Sequence, residues 1–217
     1  MNLRMLLKSK LMHRKSKMSD IEYQMRKLFF SKKQQFGGEY FYQSYPPLKI
    51  RGHRPTLVRF EIYGLSKYLK KTTAVLDIGG NTGFFSMFIS KYVRTIDIVE
   101  KNDVLASVGE VLKRHEKIKN VNFICEDFKT FKSDQKYDVI FAFAVHMWVG
   151  MSFSDYMMRI KSLLKPGGIV LLESQDVKVD DLPKKLKSVS NIFKVVDEGI
   201  TDDHMGLIRT FHYLKLK

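Results

Sequence analysis

The stretch Val75-Leu76-Asp77-Ile78-Gly79-Gly80-Asn81-Thr82-Gly83-Phe84-Phe85-Ser86 decides the fold. An apolar, β-branched run reaches an acidic residue, three glycines follow within five positions, and an apolar helical segment then begins. Glycine permits a sharp turn and lets a ligand approach the backbone. The free N–H groups at the start of the helix point toward that ligand. The pattern therefore predicts a strand, a ligand-binding turn and a helix, and the acid before the turn favours a ligand with positive charge or hydroxyl groups.

Strand and helix signals alternate from this stretch to the end of the chain. Strands are predicted at 73–78, 94–100, 121–126, 137–145, 168–174, 193–199 and 207–215, and helices at 83–93, 102–116, 152–164 and 182–192. Such alternation indicates an α/β fold with a parallel sheet covered by helices on both faces. The apolar run 139–145 is the predicted central strand. Because little helix separates the last two strands, they are predicted to form an antiparallel hairpin.

The beginning of the chain is strongly basic. The 217 residues carry a net charge of +15, and residues 1–35 hold ten Lys or Arg against Asp20 and Glu22, an excess of eight. Residues 1–36 are predicted to be a basic helical N-terminal extension that breaks near Ser19-Asp20. A positive field attracts RNA or an acidic membrane surface, but a solvated face that keeps the protein soluble accounts for the charge equally well.

An aromatic segment with arginines, residues 37–72, leads from the extension to the main domain at 73–217. Pro46 and Pro47 exclude a regular helix there, and Pro55 suits the first turn of a new helix. The single cysteine, Cys125, lies in a strand-like run and is predicted to be a buried small hydrophobe. No metal is expected, because the six histidines show no ligand spacing with each other or with this cysteine.

The subcellular location is predicted from what the sequence lacks. The apolar core near the N-terminus is too short for a signal peptide. The longest apolar run, Val139 to Val145, is too short to cross a bilayer. We therefore expect a cytoplasmic protein.

Three polar residues end the later strands. Glu100 follows Gly79 by 21 residues, close to the offset at which an acid meets ribose hydroxyls in nucleotide-binding folds. Asp127 follows the third predicted strand, where it binds a ligand or caps a helix. His146 leaves the central strand at the edge where open α/β sheets bind ligands. It is the candidate general base, and a histidine that packs under the loop or only lines the pocket is an equal alternative.

These motifs, together with Lys165-Pro166-Gly167-Gly168 before the next strand, resemble class I S-adenosylmethionine (SAM) dependent methyltransferases over residues 73–215. Asn81 stands at the middle glycine of the family pattern D-x-G-x-G-x-G, and asparagine tolerates a left-handed backbone. The resemblance implies a Rossmann-like, seven-stranded, mostly parallel sheet. It also implies SAM as the cofactor and S-adenosylhomocysteine as the product.

The resemblance further implies the cofactor-binding residues. Asp77 helps to hold the ammonium of SAM, Glu100 binds the ribose, and Asp127 binds the adenine amine. The full implied set is Tyr42, Arg54, Asp77, Gly79, Gly80, Asn81, Gly83, Phe84, Glu100, Asp127, Phe128 and Ala144.

The acceptor is predicted from a second, partial similarity. The stretch from Tyr137 to Gln175 and the aromatic lead-in are similar to RNA 5′-phosphate methyl-capping enzymes. By this analogy, Tyr42, Arg51 and Arg54 line the cofactor or the acceptor. Their cap-binding signature is not reproduced beyond Trp148, which is predicted to pack under the next helix rather than form a pocket wall. We expect a small bacterial-type methyltransferase that acts on a hydroxyl of an anionic sugar, glycan or small metabolite. The alternative is an RNA methyltransferase whose basic N-terminus holds RNA, and a SAM-binding regulator or a nucleic-acid-binding module are the non-enzymatic alternatives.

Overall fold

The computed structural model describes residues 18–34, 39–202 and 207–217. Most of the predicted basic extension, residues 1–36, therefore lies outside the described residues. Its described part contains the helix Asp20–Phe29, named α1. This helix begins there because Ser19 Oγ accepts a hydrogen bond from the backbone N–H of Glu22, at 3.3 Å. The predicted helix break at Ser19-Asp20 is thus a helix start.

The described residues form six α-helices and nine β-strands. The helices are α1 (Asp20–Phe29), α2 (Thr56–Ile62), α3 (Phe84–Ile89), α4 (Asp103–His115), α5 (Phe153–Leu163) and α6 (Leu182–Lys187). The strands are β1 (Phe41–Gln43), β2 (Gly52–Arg54), β3 (Ala74–Ile78), β4 (Thr95–Val99), β5 (Val121–Ile124), β6 (Tyr137–Phe143), β7 (Leu164–Glu173), β8 (Phe193–Asp202) and β9 (Ile208–Leu216).

Seven of these strands form one sheet in the order β5-β4-β3-β6-β7-β9-β8. Strands β3 to β7 pair in parallel, and β9 runs antiparallel to both β7 and β8. The predicted Rossmann-like sheet and its C-terminal antiparallel hairpin are confirmed. The short strands β1 and β2 pair in parallel as a separate sheet in the lead-in segment.

Alternation along the strands divides the core into two layers. On one face Val75, Val139 and Phe141 pack with residues of α1, α3 and α4. On the other face Leu76 and Ile140 pack with residues of α5 and α6. The central strand β6 is buried on both faces, as its continuous apolar run predicts. Helices pack on both faces of the sheet, and the chain segments at its carboxyl edge extend from these packed strands.

Three local predictions differ from the structure. Cys125 is exposed, because β5 ends at Ile124 and the cysteine falls in the following turn. Helix α6 ends at Lys187, five residues before its predicted end at 192. Strand β7 begins at Leu164, directly after α5, with a register shift opposite Tyr137 and Val139.

Within the described ranges, the helices are all too short or too polar to span a bilayer.

Candidate functional site

A cavity of about 530 Å³ lies at the carboxyl edge of the sheet. Its size is typical of small-molecule sites, and its position is where open α/β sheets bind ligands. The wall is built from the segments that follow β3, β4, β5, β6 and β7, from the lead-in segment and from the start of β9. Of the predicted site residues, the wall includes Tyr42, Arg54, Gly79, Asn81, Glu100, Asp127, Phe128 and Ala144.

The turn after β3 needs its unusual residues for backbone geometry. Gly79 has φ +65°, and its N–H donates to the carbonyl of Val99 at 2.8 Å. A Cβ on Gly79 would lie 2.4 Å from Val145 Cγ2, so a side chain does not fit. Asn81 has φ +58°, which confirms that the asparagine in place of the family glycine adopts a left-handed conformation. The turn therefore keeps its backbone close to both the cavity and the neighbouring loop.

Glu100 joins two loops at the cavity wall. Its Oε2 accepts from the N–H of Asn81 and its Oε1 from the N–H of Asn102, both at 2.9 Å. Burial raises the pKa of its carboxyl, and these backbone N–H groups only partly oppose the rise. Because each carboxylate oxygen has two lone pairs, Glu100 retains acceptor capacity for ligand hydroxyls.

Asp127 and Phe128 form the wall after β5. Asp127 Oδ1 accepts from the N–H of Lys129 at 2.9 Å, so the carboxylate organises its turn while it lines the cavity. Phe128 is buried at 4% exposure and contacts Tyr156 edge-on, with ring centroids 5.5 Å apart. Both competing interpretations of Asp127 from the sequence are thus compatible with its position.

The loop after β6 shapes the centre of the cavity. Ala144 has φ +52°, a conformation that costs energy for a residue with a Cβ. Its carbonyl accepts a hydrogen bond from Gln175 Nε2, which ties this loop to the end of β7. Trp148 lines the cavity and is 45% exposed. The prediction that it packs under the next helix is therefore wrong, because the loop presents the indole to the cavity mouth.

Other predicted cofactor residues lie behind the cavity wall. Asp77 is 1% exposed, and its Oδ2 accepts from Ser86 Oγ at 2.6 Å. Burial raises its pKa to about 6, although Ser86 and Arg59 act in the opposite direction. Gly80, Gly83 and Phe84 are also absent from the wall residues. The Phe84 side chain instead packs into the core against Phe41 and Tyr45, because the first turn of α3 faces the lead-in segment.

His146 also lies outside the described cavity wall. It is 4% exposed, its Nε2 is 3.1 Å from Asp180 Oδ2, and its ring packs edge-on against Phe153. Burial raises the pKa of Asp180, but hydrogen bonds from His146 and Lys185 outweigh this effect and hold the pKa well below its usual range. The base role of His146 stays a prediction, and in this structure the imidazole is paired with Asp180.

A buried charge cluster, which we call the arginine cluster, was missed by sequence reasoning. Arg54, Arg59 and Arg209 surround Glu173, with closest N–O distances of 2.7, 3.8 and 3.5 Å. Burial raises the pKa of the Glu173 carboxyl, but the three guanidinium groups outweigh burial and lower it to about 2. The one feature of the sequence that could have indicated this cluster is Glu173, an acid at the end of an apolar strand. Its partners are up to 119 positions away, so no local pattern joins them.

Two kinds of relative match the sequence. A family described as a methyltransferase domain matches residues 50–208. The chain is 32% identical over 103 residues to malonyl-[acyl-carrier protein] O-methyltransferase 2 of Ilyobacter polytropus, covering 46% of this chain and 38% of that protein. It is 27% identical over 140 residues to the U6 snRNA methylphosphate capping enzyme Amus of Drosophila melanogaster, covering 54% of this chain and 46% of Amus. The matches thus span less than half the length of these curated relatives.

A solved structure supports the fold. A SAM-dependent methyltransferase from Geobacter sulfurreducens, crystallised with S-adenosyl-L-homocysteine, superposes with a TM-score of 0.64. The two sequences are 16% identical, and the superposition covers 77% of this chain and 94% of that one.

Proposed function

The chain belongs to this family of methyltransferase domains, and on that premise we propose that it moves the methyl group of SAM to a polar, anionic acceptor. The proposed acceptor atom is a hydroxyl of a sugar, glycan or small metabolite. The observation that carries the proposal is the cavity, on whose wall the turn after β3 and the acids after β4 and β5 come together.

The wall residues fit the chemical groups of the cofactor. Glu100 has lone pairs left for ribose hydroxyls, since its two backbone hydrogen bonds use only part of its acceptor capacity. Asp127 offers a carboxylate for the adenine amine, and Phe128 supplies an aromatic wall beside it. Gly79 leaves space for the methionine part. When bound, SAM supplies an electrophilic methyl group on a positively charged sulfur.

The acceptor side of the cavity is lined by different residues. Methyl transfer is an in-line displacement, so holding the acceptor in line supplies much of the acceleration. Trp148 and Gln175 form this part of the wall, and they orient the acceptor and limit its contact with water. A base that accepts the hydroxyl proton adds to the rate. His53 lies on the wall, and His146 lies behind it, so these two histidines are the proposed bases to compare.

Calorimetry with S-adenosylhomocysteine tests the cofactor, and a radiolabelled methyl-transfer screen over RNA, nucleotide-sugar and glycan pools tests the acceptor. We expect micromolar binding, a typical scale for enzyme ligands. Absence of binding to the wild-type protein would overturn the enzyme proposal.

RNA methylation is the second proposed function. The excess of eight positive charges in residues 1–35 favours it, as does the similarity to a capping enzyme. Removal of residues 1–17 is the suitable truncation, because it leaves α1, whose Met25 and Phe29 are buried in the core. RNA affinity is expected to fall steeply with salt in the full chain and less steeply after truncation. Equal salt slopes would favour the small acceptor.

A further inference from the structure

The cavity extends along the carboxyl edge of the sheet on both sides of β6. Gly79, Glu100 and Asp127 follow β3, β4 and β5 on one side. On the other side, Gln175 follows β7 and Arg209 lies at the start of β9. Since neighbouring strands are about 4.8 Å apart, β9 is roughly 14 Å from β3 across the sheet. Three of the proposed cofactor residues, Gly79, Glu100 and Asp127, thus lie in one half of the cavity. Tyr42, which the resemblance also implies for the cofactor or the acceptor, contacts Arg209 in the β7–β9 half, and we assign that half to the acceptor.

Arg209 brings a buried positive charge to that acceptor half. It is 4% exposed and lines the cavity. Its Nη1 donates to Tyr42 Oη at 3.3 Å and lies 3.5 Å from Glu173 Oε2, a long ion pair. Its Nε is buried without a hydrogen-bond partner. A guanidinium group that is removed from water needs acceptors for its N–H groups, and a ligand in the cavity that Arg209 lines is one source of them.

Within the described part of the chain, few carboxylates lie near Arg209. Arg59 is 2% exposed, its Nη2 is 3.8 Å from Glu173, and its Nη1 also lacks a hydrogen-bond partner. Among the described residues, Glu173 is the one carboxylate within ion-pair distance of Arg59 and of Arg209. In the described ranges, the guanidinium groups of Arg59 and Arg209 thus share the Glu173 carboxylate. A buried charge is costly unless it is paired, and an anion in the cavity would add a second partner for Arg209 to the long ion pair with Glu173.

We propose that Arg209, held in place by Glu173 and Tyr42, binds a carboxylate or phosphate group of the methyl acceptor. This inference rests on the proposed function and assigns a residue to the recognition of the anionic acceptor. A guanidinium group matches either anion through two parallel hydrogen bonds. The carboxylate of the cofactor is the other anion that Arg209 could bind. Because β9 lies beyond β6 and β7 in the sheet, its position favours the anion of the acceptor.

The test uses inorganic phosphate as the probe and the full chain saturated with S-adenosylhomocysteine. Phosphate binding is measured by calorimetry at constant ionic strength for the wild type, Arg209→Gln, Arg209→Lys and Lys161→Gln. Lys161 is exposed on α5 and controls for a lost surface charge. Because removal of one charged hydrogen-bonding group changes affinity by about 10- to 100-fold, we expect Arg209→Gln to weaken phosphate binding by about that factor. Arg209→Lys keeps the charge and should show an intermediate loss, and Lys161→Gln none.

A second arm separates the two sources of the anion. Each variant is titrated with S-adenosylhomocysteine and with 5′-methylthioadenosine, which lacks the amino-acid part. If Arg209 binds the acceptor, both affinities stay within about twofold of wild type in Arg209→Gln. A selective loss of S-adenosylhomocysteine affinity would assign Arg209 to the cofactor and overturn the proposal. So would equal phosphate affinity in all four proteins, whereas failure of the wild type to bind S-adenosylhomocysteine would overturn the proposed function itself.

Discussion

Replacement of Glu100 by glutamine tests the cofactor half of the cavity with little change in shape. The carboxylate accepts two backbone N–H groups at 2.9 Å, one from Asn81 and one from Asn102. A glutamine keeps one acceptor oxygen and directs its NH₂ group at the other N–H, so one hydrogen bond is lost. The ribose hydroxyls would also lose a charged acceptor. Hydrogen bonds to charged groups contribute about 1.5–3 kcal/mol, which corresponds to roughly 10- to 100-fold in affinity.

The effect on stability should be smaller than the effect on binding. Burial disfavours the charged form of Glu100 and raises its pKa, so neutralisation recovers part of the energy lost with the hydrogen bond. We expect Glu100→Gln to stay folded and to bind S-adenosylhomocysteine about 10- to 100-fold more weakly in calorimetry. Glu126→Gln is the matched control, because Glu126 is an exposed carboxylate on the same wall. Wild-type affinity in a folded Glu100→Gln protein would refute the assignment of this residue to the ribose.

Two further predictions concern the polar groups behind the wall. Burial raises the pKa of Asp77 from 3.8 to about 6, so its contribution to stability is present at low pH and is lost as pH rises through that range. Relative to wild type, Asp77→Asn should therefore gain about 2 kcal/mol of unfolding free energy between pH 4 and pH 7 in urea unfolding. Parallel pH profiles of the two proteins would contradict this. Because His146 is a buried partner of Asp180, His146→Ala should lower the unfolding free energy by about 1–3 kcal/mol and leave S-adenosylhomocysteine affinity unchanged. His53→Ala, in contrast, should lower turnover more than it lowers stability. A fall in turnover of about 100-fold or more in His146→Ala at wild-type stability would instead support His146 as the base.

The predictions that came true depend on local patterns. The glycine turn after β3, the left-handed Asn81 and the buried strand β6 follow from residue types within a few positions. The antiparallel hairpin of β8 and β9 follows from two strand signals with no helix between them. The prediction that Cys125 is buried was wrong because the end of β5 was placed two residues too late. The end of β5 is set by its pairing with β4, which the sequence does not display.

The orientations of side chains at the site needed the tertiary structure. Trp148 and His146 are two positions apart on one loop, yet the indole faces the cavity and the imidazole faces Asp180. The loop leaves β6 through Ala144 in a left-handed conformation, and such a reversal does not follow from residue type. The orientation of Asp77 also depends on the tertiary structure. Its carboxylate accepts a hydrogen bond from Ser86 on α3 and lies behind the cavity wall.

The sequence by itself determined the order of strands and helices along the chain and the turn after β3, because backbone conformation and the hydrophobic pattern are set by neighbouring residues. The methyltransferase family was predicted from the resemblance of the motifs. Only the tertiary structure decided which of the implied residues line the cavity and which lie behind it. It also brought Arg59 and Arg209 to Glu173 from positions 114 and 36 residues away. Charge recognition arises from such distant contacts, since a buried ion pair depends on the distance in space between two groups and not on their separation along the chain.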